Sequence, residues 1–249
     1  INNMDVQSLF GVKGKVVVVT GGGQGVGLMI TTGFVANGAR VYISSRKEAV
    51  INKVAKELTD KLPGECYAIQ ADLQNEADIT KLVNEVSRKE KRIHVLVNNA
   101  GCTWGEPFES YPAAAFDKLF GLNVKALFLL TQKLQPLLAA GASINDPGRV
   151  INIGSINGLA PPLLETYAYS SSKAAVNMLT LHLANRLAAD HITCNAICAG
   201  PFQSKMMAAT LKNFKDAVVA NVPLHRIGSP EDIAAACIYF SGIGGRWVT

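Results

Sequence analysis

The stretch VVVVTGGGQGVG, residues 16–27, sets a run of valines directly before a glycine-rich turn, and residues 28–37 follow with the pattern of a helix. Glycines let the backbone turn tightly and approach a pyrophosphate, whose negative charge is favoured at the N-terminus of a helix. A strand before the turn and a helix after it therefore predict a dinucleotide-binding site. The turn residues assigned to this site are Gly21, Gly23, Gln24, Gly25, Val26 and Gly27.

Apolar runs of strand length recur along the chain and are separated by longer amphipathic stretches. They occupy residues 16–19, 41–44, 66–71, 94–98, 149–154 and 192–197. Continuous apolar strands that alternate with helices predict a parallel sheet covered on both faces, the doubly wound α/β (Rossmann) class. No linker or internal repeat divides the sequence, so residues 1–249 are predicted to form a single domain.

Composition excludes several other classes of protein. Hydrophobic residues make up 49% of the chain, and the net charge of +5 is scattered among acidic residues, so we expect a large core and no nucleic-acid partner. No apolar run approaches the ~20 residues that cross a bilayer, so no membrane partner is expected. The five cysteines lack a Cys-x-x-Cys spacing and predict reduced core residues. We expect a soluble cytoplasmic protein, although a removed targeting peptide would leave no trace here.

The candidate catalytic residues follow from one spacing. Tyr169 lies four residues before Lys173 and fourteen after Ser155. A helix brings positions i and i+4 onto one face, so the Lys173 ammonium is predicted to lie beside the Tyr169 phenol. A fixed positive charge favours the phenolate and would lower the phenol pKa from its usual value near ~10. Ser155 would hold a carbonyl oxygen while Tyr169 protonates it, which predicts a reaction that moves a hydride.

The choice of cofactor is predicted from the residues after the second strand. Ser45 and Arg46 stand where an NAD site usually carries an acid for the ribose hydroxyls. Arg46 can instead bind a 2′-phosphate, so NADP (NADPH) is the predicted cofactor. The alternative for Arg46 is a solvent-exposed residue at the start of the next helix. Asp72 and Leu73 follow the third strand and are placed to meet the adenine. The alternative for Asp72 is the N-cap of the next helix.

A segment near the C-terminus is predicted to cover the substrate. Residues 202–224 follow a turn at Gly200 and Pro201 and are rich in Met, Ala, Leu and Phe. Apolar residues beyond the carboxyl end of a strand line ligand sites in such folds, which favours a small helical flap. The alternative is an ordinary surface helix packed on the core.

Taken together, five separated motifs resemble the short-chain dehydrogenase/reductase family over nearly the whole chain. Residues 20–27 match its Thr-Gly-x-x-x-Gly-x-Gly turn, and residues 98–101 match its Asn-Asn-Ala-Gly element. The remaining matches fall where the family keeps its catalytic tetrad: Asn123, Ser155, Tyr169 and Lys173.

That resemblance implies a role for each member of the tetrad. Tyr169 would be the general acid for reduction, and Lys173 would bind the nicotinamide ribose and lower the tyrosine pKa. Ser155 would orient the carbonyl, and Asn123 would hold a water in a proton relay. The resemblance also implies cofactor contacts from Asn99, Ala100, Gly101, Gly200, Phe202 and Ser204, besides Tyr169 and Lys173.

Within the family, residues 100–105, 109–112 and 149–155 resemble the NADPH-dependent β-ketoacyl (3-oxoacyl-acyl-carrier-protein) reductases, particularly the rhamnolipid-pathway type. Two positions depart from the family: Ala199 replaces the usual proline before Gly200, and Ser204 replaces a threonine. The family's final strand, which commonly supports tetramer contacts, is expected to be absent from this chain. A homo-oligomer, either tetramer or dimer, is still implied.

These inferences predict an NADPH-dependent reductase that converts a ketone, a 3-oxoacyl thioester or similar small carbonyl compound, to a secondary alcohol. Two alternatives stay open at this point. One is an NAD-dependent alcohol or sugar dehydrogenase that works oxidatively, and the other is a non-catalytic dinucleotide sensor on the same fold. No metal is expected.

Overall fold

The computed structural model describes residues 4–162 and 164–249. At its centre lies a six-stranded sheet in which all neighbouring strands run parallel, in the order β3-β2-β1-β4-β5-β6. The strands are β1 Val16–Thr20, β2 Arg40–Ser45, β3 Glu65–Gln70, β4 Val95–Asn98, β5 Gly148–Ile153 and β6 Ile192–Ile197. This sheet confirms the predicted Rossmann class, and the strand boundaries fall within one residue of the predicted ones.

Helices cover both faces of the sheet. They are α1 Val6–Phe10, α2 Gly25–Ala36, α3 Glu48–Lys61, α4 Glu76–Lys89, α5 Ala113–Phe120, α6 Ala126–Ala139, α7 Tyr167–Leu187, α8 Ala208–Ala220 and α9 Pro230–Ser241. A π-helical turn, Gly121–Lys125, joins α5 to α6. Among the residues described, no helix combines the length and apolar content that crossing a bilayer requires.

The valine run of β1 explains why the sheet needs two layers of helices. Successive side chains of a strand point to opposite faces. Val16 and Val18 belong to the core layer formed with α4, α6 and α7, whereas Val17 and Val19 belong to the layer formed with α2, α3 and α9. Because these four side chains are at most 5% exposed, the strand is buried on both faces.

The strand order creates a crevice at the carboxyl end of the sheet. The chain moves outwards from β1 through β2 to β3 and then crosses back, so that β4 pairs with the other edge of β1. Connections after β1 and β4 therefore diverge to opposite sides, which is where ligands bind in open α/β sheets. The predicted glycine-rich turn follows β1 at this crevice, and the predicted residues 99–101 follow β4.

One alternative from the sequence is wrong. The N-cap of α4 is Asn75, whose side-chain oxygen accepts the Ala77 N–H at 2.9 Å. Asp72 instead accepts the Gln74 N–H at 3.1 Å within the preceding turn. Helix α9 begins at Pro230, where Ser229 and Asp232 form a capping box.

Candidate active site

The glycine-rich turn after β1 allows another backbone segment or a phosphate to approach closely. Gly21 and Gly25 have φ values of +66° and +53°, in the left-handed region that favours glycine. A Cβ on Gly27 would collide with the Gly21 carbonyl oxygen and lie 2.5 Å from Asn99 Nδ2. A Cβ on Gly23 would lie 2.7 Å from the Ile51 side chain. Larger residues would therefore push this turn away from its place.

Helix α2 begins at this turn with its first N–H groups uncovered by side chains. Its N-cap residue, the exposed Gln24, makes no side-chain cap bond, and the first turn carries no acidic residue. Val26 packs against the core beneath. Such a helix start, next to glycine N–H groups, fits an anionic phosphate.

Thr20 ties the glycine turn to the segment after β4. Its side-chain oxygen accepts the Asn99 N–H at 3.0 Å and the Ala100 N–H at 2.9 Å. In return, Asn99 Nδ2 donates to the Thr20 carbonyl at 2.9 Å. From the sequence, Thr20 is only part of the glycine-rich motif, and its bonds to Asn99 and Ala100 are not predicted. Its position at the end of a buried strand is the feature that could have indicated them. These bonds fix one side of the crevice.

The end of β2 presents a free cation to the crevice. Arg46 is exposed and forms no hydrogen bond or ion pair with any residue that the structure describes. Ser45 Oγ accepts the Lys47 N–H at 3.3 Å, and the buried Ser44 hydroxyl has no partner among the described residues. After the neighbouring strand β3, Leu73 is 8% exposed and packs into the core, so Asp72 is more accessible than Leu73.

The segment predicted to be a flap begins against the glycine turn. The Ser204 Cβ lies 3.2 Å from the position that a Cβ on Gly25 would take. Gly200 is exposed, while Phe202 is 8% exposed and its ring packs against Gly228 in the core. Helix α8 follows, with a kink at Phe214 and few contacts to other elements.

Helix α7 carries Tyr169 and Lys173 on one face, as their spacing predicts. The Lys173 ammonium lies 5.7 Å from the centre of the Tyr169 ring and donates a 2.7 Å hydrogen bond to the Ile153 carbonyl at the end of β5. Ser155, two residues further along, is 6% exposed and accepts the Asn157 N–H at 3.2 Å. The turn that starts at Ser155 packs on α7, and the Ser155 side chain forms a hydrogen bond with Tyr169.

Asn123 lies in the π-helical turn, a local geometry that is frequent at functional sites. Its side chain is 2% exposed and fully engaged: Oδ1 accepts the Cys102 N–H at 2.9 Å, and Nδ2 donates to the Cys102 carbonyl at 3.0 Å and to Ser172 Oγ at 2.9 Å. A Cβ on Gly101 would lie 3.1 Å from Asn123 Oδ1 and 3.8 Å from Lys173 Nζ. The four predicted catalytic residues are therefore brought together.

Burial dominates the acid–base properties of this cluster. It raises the pKa of Tyr169, although the Ser155 side chain acts in the opposite direction. The shift is opposite in direction to the lowering by Lys173 that the sequence predicts. Burial also lowers the pKa of Lys173 to about 8. The phenol is consequently in its protonated form at neutral pH, which is the form that can donate a proton.

The Cys102 thiol lies among several cations that face the crevice. Burial raises its pKa, while Lys118, Arg46 and Lys173 each act in the opposite direction. Lys118 extends from α5 to lie 5.0 Å above the ring of Trp104. Among the described residues, no group of three or more His, Cys, Asp and Glu side chains is arranged to hold a metal ion.

The glycine-rich turn, the start of α2 and Arg46 fit a phosphorylated dinucleotide. The glycines leave room for a pyrophosphate, the first turn of α2 offers N–H donors, and Arg46 has a free guanidinium beside them. A buried tyrosine, lysine and serine lie at the far end of the same crevice. The fold and the site together define a dinucleotide-dependent oxidoreductase class.

Comparison with known proteins agrees with that class. Residues 15–214 match the family model of the short chain dehydrogenases, and the chain belongs to this family. It is 40% identical over 242 residues to a rhamnolipids biosynthesis 3-oxoacyl-[acyl-carrier-protein] reductase of Pseudomonas aeruginosa, a match that covers 96% of this chain and 94% of the relative. It is 31% identical to a 3alpha-hydroxysteroid dehydrogenase of Mediterraneibacter gnavus, over 95% of this chain and 93% of the relative.

A solved structure gives the same result. The Pseudomonas aeruginosa RhlG/NADP active-site complex superposes with a TM-score of 0.93 at 39% sequence identity. The match covers 97% of this chain and 94% of that one. The resemblance that the sequence motifs predict is confirmed.

Proposed function

We propose that this protein is an NADPH-dependent oxidoreductase that reduces a ketone, a 3-oxoacyl thioester or a similar carbonyl compound, to a secondary alcohol. The observation that carries the proposal is the cluster of Asn123, Ser155, Tyr169 and Lys173 at the carboxyl end of the sheet, beside a glycine-rich turn. The 3-oxoacyl-[acyl-carrier-protein] reductase relative supports the choice of substrate. A non-catalytic sensor would have no need for this cluster.

In this proposal Ser155, Tyr169 and Lys173 each have a separate task. NADPH, when bound, supplies the hydride. Ser155 donates a hydrogen bond to the carbonyl oxygen and orients the ketone in the crevice. The Tyr169 phenol, kept protonated by burial, donates its proton to the same oxygen as negative charge develops there. Lys173 is held by the Ile153 carbonyl, and its charge stabilises the phenolate that remains.

The residues proposed to hold the cofactor line the crevice from β1 to the flap. Arg46 would pair with the 2′-phosphate, which favours NADPH over NADH, and the NADP complex of the Pseudomonas aeruginosa structure supports this choice. The other proposed contacts are Gly21, Gly23, Gln24, Gly25, Val26, Gly27, Ser45, Asp72, Leu73, Asn99, Ala100, Gly101, Tyr169, Lys173, Gly200, Phe202 and Ser204.

We also propose that residues 202–224 act as a flap that closes over the substrate. The segment touches the glycine turn at Ser204, and its helix α8 exposes Phe214, which is 55% exposed. Apolar side chains held loosely beside a crevice can close on an apolar substrate and exclude water.

The outer surface of α7 supports a homo-oligomer, proposed here to be a tetramer. Met178 and Leu181 are 58% and 64% exposed and lie one turn apart on the same face. Large apolar side chains that adjoin on a surface favour association. Light scattering after size-exclusion chromatography measures the assembly, and a monomer would contradict the proposal. The five unpaired cysteines fit the reducing environment of the cytoplasm, which cell fractionation tests.

A steady-state screen tests the proposed reaction. NADPH and NADH would each be offered with 3-oxoacyl thioesters, quinones and sugar ketones. We expect NADPH oxidation with at least one 3-oxoacyl thioester and weaker activity with NADH. Tight NADPH binding without turnover of any ketone or alcohol would support a sensor. Efficient oxidation of alcohols with NAD would instead support an NAD-dependent dehydrogenase.

A further inference from the structure

The catalytic helix α7 begins without a cap of its own. The first N–H groups of a helix have no partner within it and need acceptors from elsewhere. Thr166 precedes the helix but makes no side-chain cap bond; its hydroxyl lies 3.4 Å from the Leu164 carbonyl instead. The first turn of α7, which contains Tyr169, therefore depends on another part of the chain.

Tyr111, 57 residues earlier, supplies the missing acceptor. Its phenol oxygen accepts the N–H of Ala168 at 3.2 Å, one residue before Tyr169. The same hydroxyl donates to the carbonyl of Trp104 at 3.2 Å. One side-chain atom therefore joins the start of the catalytic helix to the loop after β4.

Packing fixes the position of the Tyr111 ring. Its centre lies 5.2 Å from the ring of Tyr167 and 5.8 Å from that of Phe116, both edge to face. Edge-to-face pairs are a favoured geometry for aromatic side chains. This packing holds the Tyr111 hydroxyl in place, so little additional side-chain ordering is needed to form its two hydrogen bonds.

The loop that Tyr111 holds forms a wall of the crevice. It starts at Cys102, whose backbone is paired with Asn123, and reaches Trp104, whose ring lies under Lys118. Glu165 makes two further links to this loop: its carbonyl accepts the Glu106 N–H at 3.2 Å and its side chain accepts the Phe108 N–H at 3.3 Å, but Glu165 is exposed to solvent. Exposed hydrogen bonds contribute less to local rigidity, so the Tyr111 link is the stronger candidate.

We propose that Tyr111 is a positioning residue for the reduction, because it holds the first turn of α7, and with it Tyr169, against the crevice wall at Trp104. The inference rests on the proposed function, since it takes Tyr169 as the proton donor. Small errors in the placement of a catalytic group cost large factors in rate, which is why such a link matters for turnover.

Tyr111→Phe tests the proposal, since it removes both hydrogen bonds and keeps the ring. We expect kcat with NADPH and a ketone to fall about 10-fold, in line with the loss of two modest hydrogen bonds, while the Kd for NADPH stays within about twofold. Amide hydrogen exchange in residues 165–171 should become faster. Tyr239→Phe is the matched control, because the Tyr239 hydroxyl has no partner among the described residues and lies on α9.

Any of three results would overturn the inference. The first is wild-type amide exchange at the start of α7 in Tyr111→Phe, and the second is wild-type kcat in an active enzyme. The third is a fall in kcat that is matched by an equal loss of folded protein. If the wild-type protein reduces no ketone, the proposed function fails, and the exchange measurement still decides whether Tyr111 caps the helix.

Discussion

Asn123 and Ser172 form the hydrogen bond that joins the π-helical turn to the catalytic helix. Asn123 Nδ2 donates to Ser172 Oγ at 2.9 Å, and the Ser172 hydroxyl in turn donates to the Tyr169 carbonyl at 2.7 Å. Ser172 is fully buried, so water does not replace either partner. The position of Asn123 is therefore transmitted to the backbone that carries Tyr169.

Ser172→Ala should impair both stability and turnover. It leaves one buried N–H of Asn123 without an acceptor, which costs about 1–3 kcal/mol in the free energy of unfolding. We expect a fall in kcat of about tenfold, because the freed amide can shift the π-helical turn. Urea denaturation and steady-state kinetics measure the two effects. Ser171→Ala is the control, since Ser171 is exposed and bonds only within α7; equal effects of both substitutions would contradict the link.

Tyr169→Phe should remove the proton donor while the cofactor still binds. A positioned general acid contributes about 10²–10⁴-fold, so we expect kcat to fall by at least about 100-fold. The Kd for NADPH should stay within about threefold, measured by quenching of protein fluorescence. Tyr167→Phe is the control, because the exposed Tyr167 hydroxyl bonds Glu165 at 2.7 Å outside the catalytic cluster. Turnover of a ketone by Tyr169→Phe at a rate near that of the wild type would rule out the proposed mechanism.

The fold could be predicted almost completely from the sequence because its signals are local. The valine run of β1 is apolar on both faces, and a strand buried on both sides needs helices above and below. The spacing of Tyr169 and Lys173 is set within one helix, so their proximity also follows from helix geometry alone.

The parts that could not be predicted depend on contacts between distant segments. Tyr111 accepts the Ala168 N–H across 57 residues of sequence, and no periodicity in either segment predicts that bond. The predicted lowering of the Tyr169 pKa is wrong for the same reason. Burial raises that pKa, and burial depends on how the loops close over the ring. The sequence alone leaves Asp72 open as a helix cap, but Asp72 accepts the Gln74 N–H in the preceding turn, and Asn75 caps α4.

Arg46→Asp should change the choice of cofactor. The substitution removes the cation proposed to pair with the 2′-phosphate and installs a carboxylate that repels it but can accept ribose hydroxyls. We expect the KM for NADPH to rise at least about 30-fold, from loss of a charge-assisted pair plus repulsion, and the KM for NADH to change less than about threefold. Arg88→Asp makes the same charge change on the exposed surface of α4 and should leave both values unaltered. Equal loss for both cofactors would count against the role of Arg46.

Gly27→Ala should disturb the turn that holds the pyrophosphate. The added methyl group collides with the Gly21 carbonyl and with Asn99, so the turn must shift at a cost of about 1–3 kcal/mol. We expect NADPH affinity to fall at least about 10-fold, measured by calorimetry, since a shift of the turn misplaces its N–H donors. Gly121→Ala is the control, because a Cβ at Gly121 would meet no atom within 4 Å beyond its chain neighbours and the backbone of its own helical turn. Wild-type affinity in Gly27→Ala would show that this close approach is not needed for binding.

His94 should make the protein less stable in mild acid. Its Nδ1 accepts the Val16 N–H at 3.0 Å, and burial together with Arg92, Lys15 and Arg149 lowers its pKa to about 4, against a partial rise from Asp146. The unfolded chain, with an ordinary histidine pKa of about 6.5, binds more protons between these two values. The contribution of the neutral His94 to the free energy of unfolding is therefore greatest above about pH 6.5, and it is lost as the pH falls towards about 4.

His94→Asn tests this dependence, because the asparagine oxygen can accept the Val16 N–H but does not titrate. We expect the urea midpoint of the wild type to fall between pH 7 and pH 4.5 and that of His94→Asn to fall less. Asp146 does not interfere in this window, since Lys15 and Arg149 hold its pKa below the usual range and it stays charged. His182→Asn, at an exposed position on α7, should keep the wild-type slope. If His94→Asn keeps that slope as well, another group controls the acid sensitivity, because removing the titrating imidazole would have changed nothing.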